Sequence, residues 1–303
     1  MAKSILAYMP TYSPDAGVED GCGRPLIRLS NEQIANRINT LGNKSRARPF
    51  IYMDCIDSVV NTRPDVDLVV ADARSSDIVR EGLSAHHKQS GGYQLAFYPG
   101  KMSQWALFND ILARHATDDT KYVVYTSSDI IWCMDWVEEC IREFDKDPSL
   151  QILFPTVNSG DVAIPIQLAP GPKDIDLVDP ADHMECLGMA AAKAPCLNMY
   201  AAIFRMDFLK AYGGYMTAFR NCFTESFLYF QSEAMGGKMR LCPRAWCYHH
   251  NGVDVWVGEG GFYHYSAEKP KFDRMMREVQ AMRAAGKCDV PFLREILYKE
   301  AQA

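Results

Sequence analysis

Nowhere does this 303-residue chain string together the ~18 apolar residues that a membrane-crossing helix needs, so no span is expected. The opening MAKSILAYM holds a brief apolar run that meets Pro10, too short for the hydrophobic region of a secretory leader. A cytoplasmic protein is expected on that ground. Positive charge is not in excess either. Lys and Arg number 32 against 38 Asp and Glu, a formal net charge of −6, so nucleic acid is not indicated as a partner. The ten cysteines contain no CxxC pair and many lie in apolar runs, which argues against a disulfide scaffold. The group Cys242, Cys247, His249 and His250 lacks the paired short loops of a zinc finger, which argues against structural zinc. What remains is a globular composition, 48% hydrophobic and 23% charged, with material for a large core.

Short apolar runs punctuated by polar clusters dominate the first half. Ser4 to Met9, Asp67 to Ala71, Tyr93 to Tyr98 and Tyr122 to Thr126 read as strands. Between them, residues 48–61 (through Phe50, Met53, Ile56 and Val60) and Ser103 to Arg114 carry helical spacing. A further helix is expected directly after Asp129, with Trp136, Val137, Cys140, Ile141 and Phe144 as its buried stripe. Strands alternating with helices predict an α/β fold, a mostly parallel sheet covered on both faces, with ligands at the carboxyl ends of the strands. There the polar residues gather: Pro10, Thr11 and Tyr12 after the first strand, Asp72 to Asp77 after the second, Ser127, Ser128 and Asp129 after the fourth.

Beyond Phe154 the pattern loosens. Six prolines between 155 and 195 predict loop with edge strands at most, and the Gly- and Pro-rich stretch that begins at residue 13 predicts a second irregular excursion. Regularity returns at Leu197 to Phe204, the helix Met206 to Ala211, the turn Gly213-Gly214, a helix over Glu225 to Ala234, and two strands, Lys238 to Cys242 and Ala245 to Tyr248. Two helices close the chain, Ala267 to Ala285, ended by Gly286, and Val290 to Lys299. They suit a lid, a dimer interface or a brace across the sheet.

Taken in order, these pieces resemble the GT-A fold glycosyltransferases, in particular the large inverting family that includes cellulose and chitin synthases. The strings that carry the resemblance are YMPTYS, VVADARSSD, PGKMS followed by Asn109, YVVYTSSDIIW, the long segment from AAIFR through AYGGY to TESFLYF, and RAWCYHHNG. The resemblance implies a Rossmann-like GT-A domain over residues 1–257, with insertions near 13–47 and 155–195, and a helical C-terminal extension over 258–303. It implies a nucleotide-sugar donor, UDP-linked by preference, transferred to the hydroxyl of an unidentified acceptor with inversion. By register, Pro10, Thr11, Tyr12, Asp72, Ser75, Asn109, Ser127 and Ser128 would bind the nucleotide, Asp129 and His249 a divalent metal (Mn²⁺ or Mg²⁺), and Glu225 would act as the base. A cation neutralises the leaving diphosphate, and a carboxylate on the far side of the anomeric carbon takes the acceptor's proton.

Two departures stand out. Ser127 occupies the place of the first aspartate of a DxD motif, and Thr224-Glu225 stands where Glu-Asp is expected. The first leaves open a protein that binds sugar nucleotide or carbohydrate without turnover. A nucleotidyltransferase shares the sheet topology, but the early Gly-rich, basic phosphate loop it needs is poorly matched by Gly17, Gly21, Gly23 and Arg24. Asp129 has an alternative as the N-cap of a helix beginning at Ile130, and Asn109 as a helix residue bonded to a neighbouring loop. Arg205 and Arg220 fit either surface charges or phosphate contacts. Trp132 and Trp256 fit either the core or a stacking surface for a ring. A homodimer is compatible with all of these readings.

Overall fold

The first strand reads ILAYMPT, apolar at successive positions, and a strand of that kind must be covered on both faces. The computed structural model meets this demand with eight strands in one sheet and helices on either side. It describes residues 4–11, 52–63, 65–73, 75–99, 102–132, 135–157, 201–215, 225–249 and 259–299; at some positions within them, Glu225, Ser226 and His249 included, it describes the backbone alone. In chain order the elements are β1 (Ile5–Thr11), α1 (52–62), β2 (Val66–Asp72), α2 (Asp77–Ser90), β3 (Gln94–Phe97), α3 (Gln104–His115), β4 (Tyr122–Thr126), β5 (Ile130–Trp132), α4 (Trp136–Lys146), β6 (Leu150–Val157) and β7 (Ala201–Arg205). There follow α5 (Met206–Tyr212), α6 (Glu225–Ala234), β8 (Lys238–His249), α7 (Glu259–Ala284) and α8 (Val290–Lys299).

The strand order is β3-β2-β1-β4-β7-β6-β8-β5. β3, β2, β1 and β4 run parallel; β7 is antiparallel to both β4 and β6, and β6 pairs parallel with β8. Strand period sorts the side chains into two layers. Leu6, Tyr8, Val69, Ala71, Val123, Tyr125 and Phe204 face α3, α5, α6, α7 and α8. Ile5, Ala7, Met9, Leu68, Val70, Val124 and Ile203 face α1, α2 and α4. The C-terminal helices enter the first layer through Met275, Val279, Leu293, Ile296 and Leu297, and the Tyr298 hydroxyl donates to the Gly214 carbonyl at 3.1 Å. They brace one face of the sheet.

Three expectations change. No helix begins after Asp129: the three-residue strand β5 intervenes, and α4 starts at Trp136 behind Asp135, the one non-glycine residue with positive φ (67°) among the described residues. Of its expected stripe, Trp136, Val137, Cys140 and Phe144 are buried and Ile141 is half-buried. The strand β6 runs through Pro155 to Val157 rather than loosening at Phe154. Proline donates no ladder bond, and the β6–β8 register shifts at this point, from Pro155 opposite Cys242 to Thr156 opposite Trp246. The same irregularity merges the two expected strands, Lys238 to Cys242 and Ala245 to Tyr248, into one bulged β8. The Cys242 thiol there is held below its ordinary range by the Cys140 thiol of α4 and by backbone N–H groups of Ala245 and Arg244, against the opposing effect of burial.

Candidate functional site

Strand direction decides which residues meet. Since β4 is antiparallel to β7 and β7 to β6, β6 runs with β4, and β8 runs with β6. The carboxyl ends of β1, β2, β3, β4 and β8 therefore share one edge, which carries Thr11, Asp72, Phe97, the residues after Thr126, and position 249. Arg205, at the end of the reversed β7, lies opposite Tyr122 at the other edge. There its guanidinium donates to the carbonyls of Leu150 at 2.7 Å and Phe144 at 2.6 Å. It is neither a surface charge nor a phosphate contact.

At the first corner of the shared edge, Asp72 is fully buried. One of its carboxylate oxygens accepts the Thr11 hydroxyl at 3.0 Å. The other accepts the Ser75 backbone N–H at 3.0 Å and lies 3.3 Å from Arg80 Nε. The backbone locks the same corner, with Ala73 N–H donating to the Thr11 carbonyl and Tyr98 N–H to the Asp72 carbonyl, both at 2.9 Å. Pro10 pairs with Ala71 in the adjoining strand. Arg80 was not singled out by the sequence, where a charged residue in the first turn of a helix reads as a solvated face.

At the second corner, Ser127 and Ser128 are half-buried in the turn between β4 and β5, and Asp129 behind them is 5% exposed. The turn is pinned from two sides. Ile130 N–H reaches the Ser127 carbonyl at 3.3 Å, and the indole N–H of Trp132 donates to the Thr126 hydroxyl at 3.0 Å. From α1, the Ser58 hydroxyl accepts Trp132 N–H at 2.9 Å. Burial pushes the Cys55 thiol of α1 well up, and the nearby Asp129 carboxylate adds to the effect. Trp132 is thus core, 2% exposed and edge-on to Trp136, and not a stacking surface for a ligand.

The β5–β8 register sets Ile130 opposite His249, so the backbone brings position 249 beside Asp129. A carboxylate and an imidazole form a donor set suited to Mn²⁺. Among the described residues, no group of three or more His, Cys, Asp or Glu side chains converges to hold a metal. Glu225 opens α6, which ends at Ala234 and turns straight back into β8 at Lys238. That reversal points the start of α6 toward the carboxyl edge. The side chains of Glu225 and His249, and all of Tyr12, Arg220, His250 and Trp256, lie outside the described residues.

Asn109 makes the bond to a neighbouring loop that was one of its two expected roles. Its amide donates to the Tyr215 carbonyl at 2.8 Å and accepts Tyr215 N–H at 2.6 Å, spending both ends on one backbone unit 106 residues away. The Gly213-Gly214 turn passes over it. Gly214 has φ +116°, and a Cβ there would come within 2.6 Å of Asn109 Oδ1, so glycine is required on both counts. Tyr215 is then stacked on Trp105 with ring centroids 4.3 Å apart. Asn109→Ala removes both hydrogen bonds to the buried Tyr215 backbone and is expected to cost about 2 kcal/mol of stability in urea unfolding. A variant as stable as the parent would remove the amide's structural role.

The family model for glycosyl transferase family 2 matches residues 53–213, from α1 to the Gly-Gly turn. A search of curated proteins returned no match. Among solved structures, the chain is similar to the mannosyltransferase PcManGT from Pyrobaculum calidifontis in complex with GDP-Man and Mn²⁺, with TM-score 0.52 and 18% identity over 99% of this chain and 70% of that one. It is similar to GalNAc-T7 with UDP, GalNAc and Mn²⁺ at TM-score 0.52 and 10% identity, covering 98% of this chain and 55% of that one. S. aureus TarS 1–349 follows at TM-score 0.50 and 12% identity, covering 82% and 60%. The chain thus spans less than two thirds of the length of the last two. At these identities the structures establish the GT-A type of fold, while the family match covers more than half of the chain. The chain belongs to glycosyl transferase family 2.

Proposed function

We propose that this protein transfers a sugar from a nucleotide-sugar donor to an acceptor hydroxyl, with inversion and with the help of a divalent cation. The observation that carries the reading is the pair of corners on one sheet edge: Thr11, Asp72 and Ser75 at one, Asp129 with position 249 across the β5–β8 register at the other. The first corner takes the nucleoside and the second the diphosphate end. Asp129 and His249 would hold Mn²⁺ or Mg²⁺, which when bound neutralises charge developing on the departing diphosphate. The turn residues Ser127 and Ser128 offer hydroxyls to the ribose or to the phosphates. Glu225 takes the proton of the attacking hydroxyl, consistent with its place at the start of α6. UDP is the preferred carrier, a reading supported by a structural neighbour that holds UDP, though another holds GDP-Man.

The test is a panel of UDP- and GDP-sugars with Mn²⁺ or Mg²⁺, read as release of nucleoside diphosphate with water or a saccharide mixture as acceptor. Release that depends on the cation and on one donor is expected. Ser127, in the place of the first aspartate of the DxD motif, favours a second reading in which the fold is kept for binding alone. Saturable donor binding without any release across the panel would decide for it.

A further inference from the structure

The turn that carries Ser127, Ser128 and Asp129 leads into a strand too short to place it. β5 has three residues, stands at one end of the strand order and has β8 as its one neighbour among the described strands. So short an edge strand gains little from its ladder, and its position depends on bonds from elsewhere. Two hydroxyls supply them. Ser58 of α1 has a single hydrogen, which goes to the Cys55 carbonyl at 2.6 Å, so its oxygen is left to accept the Trp132 N–H at 2.9 Å. The helix thereby holds the side of β5 that faces away from β8. Thr126 accepts the indole N–H of the same tryptophan at 3.0 Å and donates to the Ser127 carbonyl at 3.3 Å, and that carbonyl also accepts Ile130 N–H at 3.3 Å. The bonds close a ring through the backbone of β5, and the three polar residues of the turn hang on it. Thr126 is 0% exposed, so water does not compete for the bond to the indole. Phenylalanine at position 132 would give the core a ring but no such donor.

We infer that Thr126, Trp132 and Ser58 are positioning residues for the second corner, holding the β4–β5 turn so that Asp129 stands ready beside position 249. They act through the turn and not by touching a ligand. A binding constellation works only when its groups are held within about 0.5 Å of the productive geometry, and partners behind the ligating side chains do that holding. Without the indole bond, the residues from Ser127 to Asp129 keep one weak backbone bond across the turn, Ile130 to Ser127, and a cation would have to order the rest as it binds. The inference rests on the cation-assisted reading above and deepens it. It explains why a tryptophan that never reaches the surface bears on the chemistry.

Mn²⁺ binding to the full chain, alone and with UDP, followed by the paramagnetic resonance of the free ion, tests both levels separately. Thr126→Val keeps the branched shape and removes the hydroxyl; Trp132→Phe keeps a buried ring and removes the indole N–H. Each is expected to weaken Mn²⁺ about tenfold, the lower end of what partners behind a metal ligand contribute. Thr126→Ser retains the hydroxyl and should bind Mn²⁺ as the parent does. The two deletions take away one bond from its opposite ends, so the double variant should lose about tenfold again and not the hundredfold of independent sites. Ser58→Ala, which frees the other side of β5, should weaken Mn²⁺ in the same direction. A merely structural role would lower the melting temperature of Thr126→Val and leave its Mn²⁺ affinity where it was, and that result overturns the inference while the cation site stands. An equal loss of affinity in Thr126→Ser also overturns it, by showing that the hydroxyl is not what matters. Failure of the parent to bind Mn²⁺ under either condition brings down the cation reading, and this one with it. Should Trp132→Phe not fold, the two variants at position 126 decide the matter without it.

Discussion

Glu225→Gln is expected to lower sugar transfer about a hundred- to ten-thousandfold, the range that a positioned general base contributes, with donor affinity unchanged. The substitution keeps the shape and removes the ability to accept a proton. Glu225 is the first residue of α6, a helix tied down far from the reacting end: the Tyr212 hydroxyl donates to the Gln231 carbonyl at 2.7 Å, and Arg283 of α7 binds both oxygens of Glu233 at 2.6 and 2.7 Å. An amide at its first position should leave those anchors alone, so the melting temperature serves as the control. Turnover equal to that of the parent would retire Glu225 as the base.

The second large effect is expected at Asp129. Replacing it by Asn should cut Mn²⁺-supported turnover by about a hundredfold or more, since a Lewis acid at the leaving group contributes several kcal/mol to the barrier. Mn²⁺ binding followed by the paramagnetic resonance of the free ion gives a readout apart from activity, and it should weaken in parallel. Mn²⁺ affinity that is the same in both proteins would place the cation elsewhere.

How much of this was legible in the sequence depended on length of pattern and distance of partner. The strands β1, β2 and β4 are continuous apolar runs, and α6 was bounded at both ends by its own residues, Glu225 and Ala234. The strand β5 has three residues, too few to show a period, so the chain after Asp129 read as helix. Pro155 masked the end of β6, and the bulge opposite it split β8 in two, because proline in a strand is explained only by the neighbour's register. The site divides the same way. Thr11 and Asp72 stood out as polar residues ending apolar runs. For Asn109 the sequence admitted both a nucleotide contact and a bond to a neighbouring loop, and could not name the partner, because Tyr215 is 106 residues away. Arg80 was missed because its two partners, Asp72 and Phe97, lie in different strands and only the sheet brings them together.

The layer that holds Leu6 and Tyr8 of β1 also holds Leu293 and Leu297 of α8. During synthesis, the side chains that emerge early must wait for the late ones before water is shut out of that face. The sheet itself is complete only once β8 has been made, and a chain released before residue 275 would leave part of that face open to water and to proteases.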